Sequence, residues 1–182
     1  ITADDEDNVM STLEFCAVIT GDLNIISNET LTHVDGLKNL VSVEETVKIN
    51  RNPALSSLDG FQNLKEIGKT LNLGNLDSLT HLEGFASLKS VGWSLDIYNV
   101  QSLVNLDGLS NFKSIGSNLS ITWNRDLENI KGLAGVGPIG NNVTIQRNTS
   151  LTTLEGLENQ TLLWMVYIDS NPSLLDLNGL QN

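Results

Sequence analysis

A glycine recurs every 24 residues: Gly36, Gly60, Gly84, Gly108, Gly132 and Gly156. Chance does not hold six glycines in one register, so the chain is read first as an array of copies of one unit. Let Asp22 be position 1 of that unit. Position 2 is then Leu23, Val47, Leu71, Leu95, Leu119 and Val143, and position 4 is Ile25, Ile49, Leu73, Ile97, Ile121 and Ile145. Position 10 is leucine in every copy from Leu31 to Leu151. Position 16 is Leu37, Phe61, Phe85, Leu109, Leu133 and Leu157. One residue is lost after Gly156, and the pattern resumes a step early with Val166, Ile168, Leu174, Leu177, Gly179 and Leu180. About seven copies of L-x-I-x-x-N-x-x-L-x-x-L-D-G-L-x-x-L-x-x-I-G-x result.

The pattern carries its own geometry. Alternation at positions 2 and 4 is that of a strand with one buried face. Apolar residues at positions 10, 13, 16, 19 and 22 recur every three residues, which permits no strand longer than two or three residues there. Asp-Gly or Glu-Gly at positions 14 and 15 signals a turn, where glycine is expected to take a positive φ. A second glycine at position 23 (Gly68, Gly92, Gly116, Gly140) is expected to turn the chain back into the next strand. Each unit thus closes one coil with about seven inward apolar side chains. No coil buries them alone, so coils stack, at about 4.8 Å each, into a solenoid. Position 7 is Asn28, Asn52, Asn124, Asn148 and Asn171, expected to face inward and bond neighbouring backbone. Leu76 and Val100 interrupt this column, with Asn75 and Asn99 one place earlier, so the ladder is expected to change there.

The ends depart from the period. Residues 1–15 include the acidic, then amphipathic stretch DDEDNVMSTLEF, which suggests a short helix capping the first coil. FCAVITG matches the end of a unit and puts Cys16 in the position 19 column. The chain stops at Asn182 in mid-unit, so a longer natural protein is expected. A net charge of −12 argues against nucleic acid and anionic membranes as partners. No apolar run reaches membrane-spanning length, so no direct membrane contact is expected from this region. A lone cysteine excludes an internal disulfide framework.

The segments CAVITGDLNI, LTHVDGLKNLVSV, LSSLDGFQNLKEIG and LVNLDGLSNFKSIG resemble the receptor L-domain family of leucine-rich repeat proteins over residues 13–182. That family includes ligand-binding lobes of growth-factor receptors and many microbial surface proteins. The regularity here looks most like the microbial members. The resemblance implies a mainly β, right-handed leucine-rich-repeat or β-solenoid of about seven 24-residue coils with a short N-terminal capping helix. One unit would span residues 1–182, with the cap over 1–21 and the repeats over 22–182. It also implies an extracellular or cell-surface location and a protein or glycan ligand.

Several motifs have plainer readings. GVGPIG (135–140) fits a dinucleotide-binding glycine spacing, but Pro138 opposes the helix such a loop must open. His33 and His81 lie two coils apart, too far to share a zinc ion. No nucleophile–base set emerges, so no enzyme, no cofactor and no metal site is expected. The position 14 column, Asp35, Asp59, Glu83 and Asp107, then Lys131 and Glu155, reads as solvated turn formers, with weak divalent-cation binding as the alternative. Trp93 and Trp164 share a corner, and the period leaves open which way they face.

Recognition on a solenoid falls on outward strand positions. Tyr98, Trp123 and Arg125, with Asp96 and Thr122, form the best exposed aromatic and arginine cluster, the composition of binding hot spots. Sequons start at Asn28, Asn118, Asn142, Asn148 and Asn159. Ladder membership removes Asn28 and Asn148, leaving Asn118, Asn142 and Asn159 as glycosylation acceptors if the host glycosylates. Two functions stay open: a non-catalytic recognition or adhesion module, or a structural cell-wall or surface spacer without a dedicated ligand.

Overall fold

The computed structural model describes residues 16–181. The expected capping helix lies outside the described residues. Seven strands form one parallel sheet: β2 (Leu23–Ile26), β4 (Val47–Asn50), β6 (Leu71–Gly74), β8 (Ser94–Tyr98), β10 (Asn118–Thr122), β11 (Asn142–Gln146) and β12 (Met165–Asp169), adjacent in that order. Five two-residue strands form a second parallel sheet: β1 (Val18–Ile19), β3 (Ser42–Val43), β5 (Glu66–Ile67), β7 (Ser90–Val91) and β9 (Ser114–Ile115). Short 3₁₀ turns at positions 14–16, such as Asp59–Phe61 and Asp107–Leu109, close the coils between the sheets, except at residues 155–157, where a plain turn does so. The expected count was about seven coils. The chain forms a parallel β-solenoid of about six turns, those lying between the seven long strands.

Register follows the period. Leu71 pairs with Leu95, and Leu95 with Leu119. Across the lost residue the step becomes 23, with Val143 beside Val166. The second sheet ends at β9 because Pro138 holds the place of the next strand's first residue and has no N–H to donate. The GVGPIG segment is thus a sheet-terminating corner, and no helix follows it.

The apolar columns are sealed between coils. Residues from Val34 to Leu157 at positions 2, 4, 10, 13 and 16 are at most 1% exposed. Phe61 and Phe85 stack at 5.1 Å between centroids, the period acting directly on ring packing. Each such side chain contributes about 1.5–3 kcal/mol by leaving water. In the last described coil Val166 and Leu177, in core columns, are 42% and 54% exposed. Cys16 aligns with Leu40 as expected, yet it is only half-buried at the opposite end, its thiol directed to the Val18 carbonyl. Trp93 and Trp164 face outward.

The glycines correct the expectation. Gly60, Gly84, Gly108 and Gly132 do not adopt positive φ; within their column only Gly156 does, at 117°, where the residue is lost. They are required by proximity. A Cβ at Gly60, Gly84, Gly108 or Gly132 would fall 1.8–2.2 Å from the position 13 carbonyl of the preceding coil. The position 23 glycines meet the position 23 carbonyl of the preceding coil in the same way, as Gly92 does that of Gly68 at 2.0 Å.

The left-handed residue sits elsewhere. Position 6 takes φ of 51–63° after each of the seven long strands: Ser27, Arg51, Asn75, Asn99, Trp123, Arg147 and Ser170. This single reversal after each long strand turns position 7 inward. Asn28, Asn52, Asn124 and Asn148 are at most 1% exposed. Asn148 Oδ1 accepts the Asn124 backbone N–H at 3.0 Å, and Asn148 Nδ2 donates to the Ile121 carbonyl at 2.9 Å. Asn124 repeats both bonds, from the Val100 N–H and to the Ile97 carbonyl. Where Leu76 and Val100 break the column, a second chain of asparagines runs outside it, bonded side chain to side chain. Asn75 Nδ2 donates to Asn50 Oδ1 at 2.9 Å, and Asn99 Nδ2 to Asn75 Oδ1 at 2.7 Å.

Candidate functional site

Position 14 offers charge but no chelate. His33 faces Asp35 at 3.6 Å, and His81 pairs with Glu83 in its own turn. Lys131 binds Glu155 at 2.8 Å, and that hydrogen bond, with the charges of Glu155 and Asp107, holds its ammonium above the usual lysine range. Among the described residues no group of three or more acidic, histidine or cysteine side chains is placed to share a metal ion.

The outward strand face is mostly half-buried. Asp96 lies there beside Asn72, and burial pushes its carboxyl above the ordinary range while the Asn72 hydrogen bond opposes that rise. Thr122 lies beside Tyr98 and Gln146, also half-buried. Tyr98 and Trp123 diverge. The Tyr98 ring leans back over Gly74, where a Cβ would meet it at 2.2 Å, and its hydroxyl accepts a hydrogen bond from Asn50 Nδ2 two coils away. Trp123 meets the following coil instead, with the Arg147 guanidinium carbon 4.1 Å from its ring centroid. Arg125 turns to Asp126, with Nε–Oδ1 at 2.8 Å. The hydrogen bond from Arg125, with its charge, holds the Asp126 carboxyl below the usual range against the opposing effect of burial.

Beside Trp123 the corner opens into a shallow depression of about 470 Å³ lined by Trp123, Arg147, Thr149, Ser170 and Pro172. The alternation of positions 6 and 8 across three coils builds it: Trp123, Arg147 and Ser170 from the left-handed column, Thr149 and Pro172 from two places on. Sequence reading placed Trp123 here but missed the other four. The signal was present, since Arg147 and Ser170 share Trp123's column and Thr149 and Pro172 share Arg125's. Asp169 adjoins this corner. Hydrogen bonds from Ser170 and Gln146, opposed by burial and aided by the charge of Arg147, hold its carboxyl below the usual range.

The sequon asparagines separate by setting. Asn28 and Asn148 are buried in the ladder. Asn118 and Asn142 open β10 and β11 and are half-buried. Asn159 is exposed, although its amide nitrogen donates to the Ala134 and Val136 carbonyls.

Residues 15–76, ending just past β6, match the family model described as Receptor L domain. Searches of the curated proteins and of the solved structures return no match.

Proposed function

We propose, from the match of residues 15–76 to the Receptor L domain model, that this protein is a non-catalytic recognition module at the cell surface. The family is one of ligand-binding modules of receptor-like proteins, typically extracellular, which supports the reading. The ligand, a protein or a glycan, lies along the long sheet from Asp96, Tyr98 and Thr122 to the corner of Trp123 and Arg125, with its anchor in the adjoining depression. One observation carries this choice. Trp123, a bulky apolar side chain, is left 51% exposed and lines a mostly apolar hollow with Arg147, Thr149, Ser170 and Pro172. Asn118, Asn142 and Asn159 are proposed glycan attachment points in a glycosylating host.

The fluorescently labelled protein, applied to a glycan array and to intact cell surfaces, tests the reading. Trp123→Ala is expected to lower retention about tenfold or more, the effect of removing a hot-spot aromatic. Tyr98→Ala is expected to lower it less, and Trp93→Ala, exposed on another corner, to leave it unchanged. Retention indifferent to Trp123 would favour a rigid spacer, whose role is the regular stack itself.

A further inference from the structure

We propose that the Trp123–Arg147 depression binds a saccharide bearing a single carboxylate, such as a terminal sugar acid; this deepens, and rests on, the reading of that corner as a contact surface. Three observations support it. First, the Arg147 guanidinium is laid over the Trp123 ring at 4.1 Å and joins no salt bridge among the described residues. Contact with a ring face anchors the group while its N–H edge stays open, and that edge matches a carboxylate with two parallel hydrogen bonds.

Second, the rest of the lining suits a sugar ring. Trp123 and Pro172 supply apolar surface for its C–H face. Thr149 Oγ1 already donates to the Arg125 carbonyl at 3.1 Å, and Ser170 Oγ to Asp169 Oδ2 at 2.9 Å. Both hydroxyls have spent their protons and offer lone pairs, so they accept from the O–H groups in which a saccharide is rich. The hollow is shallow, which suits a ring lying flat better than an inserted side chain.

Third, the surrounding charge limits the ligand to one acid group. Arg125 is committed to Asp126, and Asp169 is ionised beside Arg147. With a net charge of −12 overall, a polyanion is repelled, while one carboxylate finds one oriented guanidinium.

The test follows the Trp123 indole N–H signal by NMR, assigned by its loss in Trp123→Phe. The probes are methyl glucuronide, methyl glucoside and acetate, with a short peptide ending in a free carboxylate as a fourth. Methyl glucuronide is expected to shift the signal at concentrations about tenfold below the glucoside or acetate, and Arg147→Gln to remove that advantage. Arg147→Lys is expected to restore part of it, since charge returns without the fork. Equal response to glucuronide and glucoside overturns the carboxylate inference and leaves the contact-surface reading standing. A peptide that binds more tightly than the glucuronide, or glucuronide binding indifferent to Arg147→Gln, also overturns it. Failure of the underlying reading shows separately, as cell-surface retention that Trp123→Ala does not change.

Discussion

Gly84→Ala is expected to destabilise the solenoid by more than about 4 kcal/mol, or to prevent folding. The alanine Cβ would stand 2.0 Å from the Leu58 carbonyl oxygen and 2.4 Å from its carbon. Both are backbone atoms of the coil beneath and cannot rotate away. Relief requires two coils to part by more than an ångström, which opens the sealed apolar columns on both sides of Gly84. Gly137→Ala is the matched control. Its Cβ would meet only the Lys113 carbonyl, at an ordinary 3.6 Å. That variant is expected to stay within about 1 kcal/mol of the parent, since alanine also narrows the unfolded ensemble. Urea unfolding followed by circular dichroism compares the two. Equal stabilities would mean that the glycine column is not set by coil-to-coil contact.

Asn148→Leu is expected to cost about 3–5 kcal/mol despite adding apolar surface. The side chain is 0% exposed and serves two coils at once. Its loss leaves the Asn124 N–H and the Ile121 carbonyl buried without these partners. Each stranded backbone group costs about 1–3 kcal/mol. In the coils of Leu76 and Val100 the side chains of Asn50, Asn75 and Asn99 bond one another outside the column, tying those coils together by other means. No such outer chain adjoins Asn148, whose coil has Arg147 at position 6. Thermal unfolding of the variant checks the figure; a change below about 1 kcal/mol would reduce the asparagine column to a packing preference.

The coil was legible because each apolar column states its direction in every copy. Leu71, Leu95 and Leu119 agree on what faces inward, and the matching registers follow from that agreement. The interrupted ladder was legible too, since Asn75 and Asn99 stand beside the gap they compensate. Backbone conformation was less legible. Glycine in a turn suggests a left-handed residue, yet at Gly60 and Gly84 it answers a carbonyl oxygen 1.8 and 2.0 Å from where a Cβ would stand. The left-handed role falls on serine, arginine, asparagine and tryptophan, residues with no common chemistry to betray it.

The candidate site was legible in part for a related reason. A period tells which residues are equivalent, not whether a side chain leans toward the coil before or after its own. Tyr98 leans back because Gly74 leaves it room. Trp123 leans forward, where Arg147 receives it; behind it Asn99 is bonded to Asn75 and Gln101. Two aromatic residues one coil apart in sequence therefore serve different neighbourhoods.

The stack itself is tested most directly by interstrand NOEs in solution. The account predicts backbone contacts linking each long strand to the residue 24 places on, Leu73 to Ile97 and Ile97 to Ile121, with the interval falling to 23 between Val143 and Val166. Contacts at any other separation, or an antiparallel pattern among these strands, would contradict it.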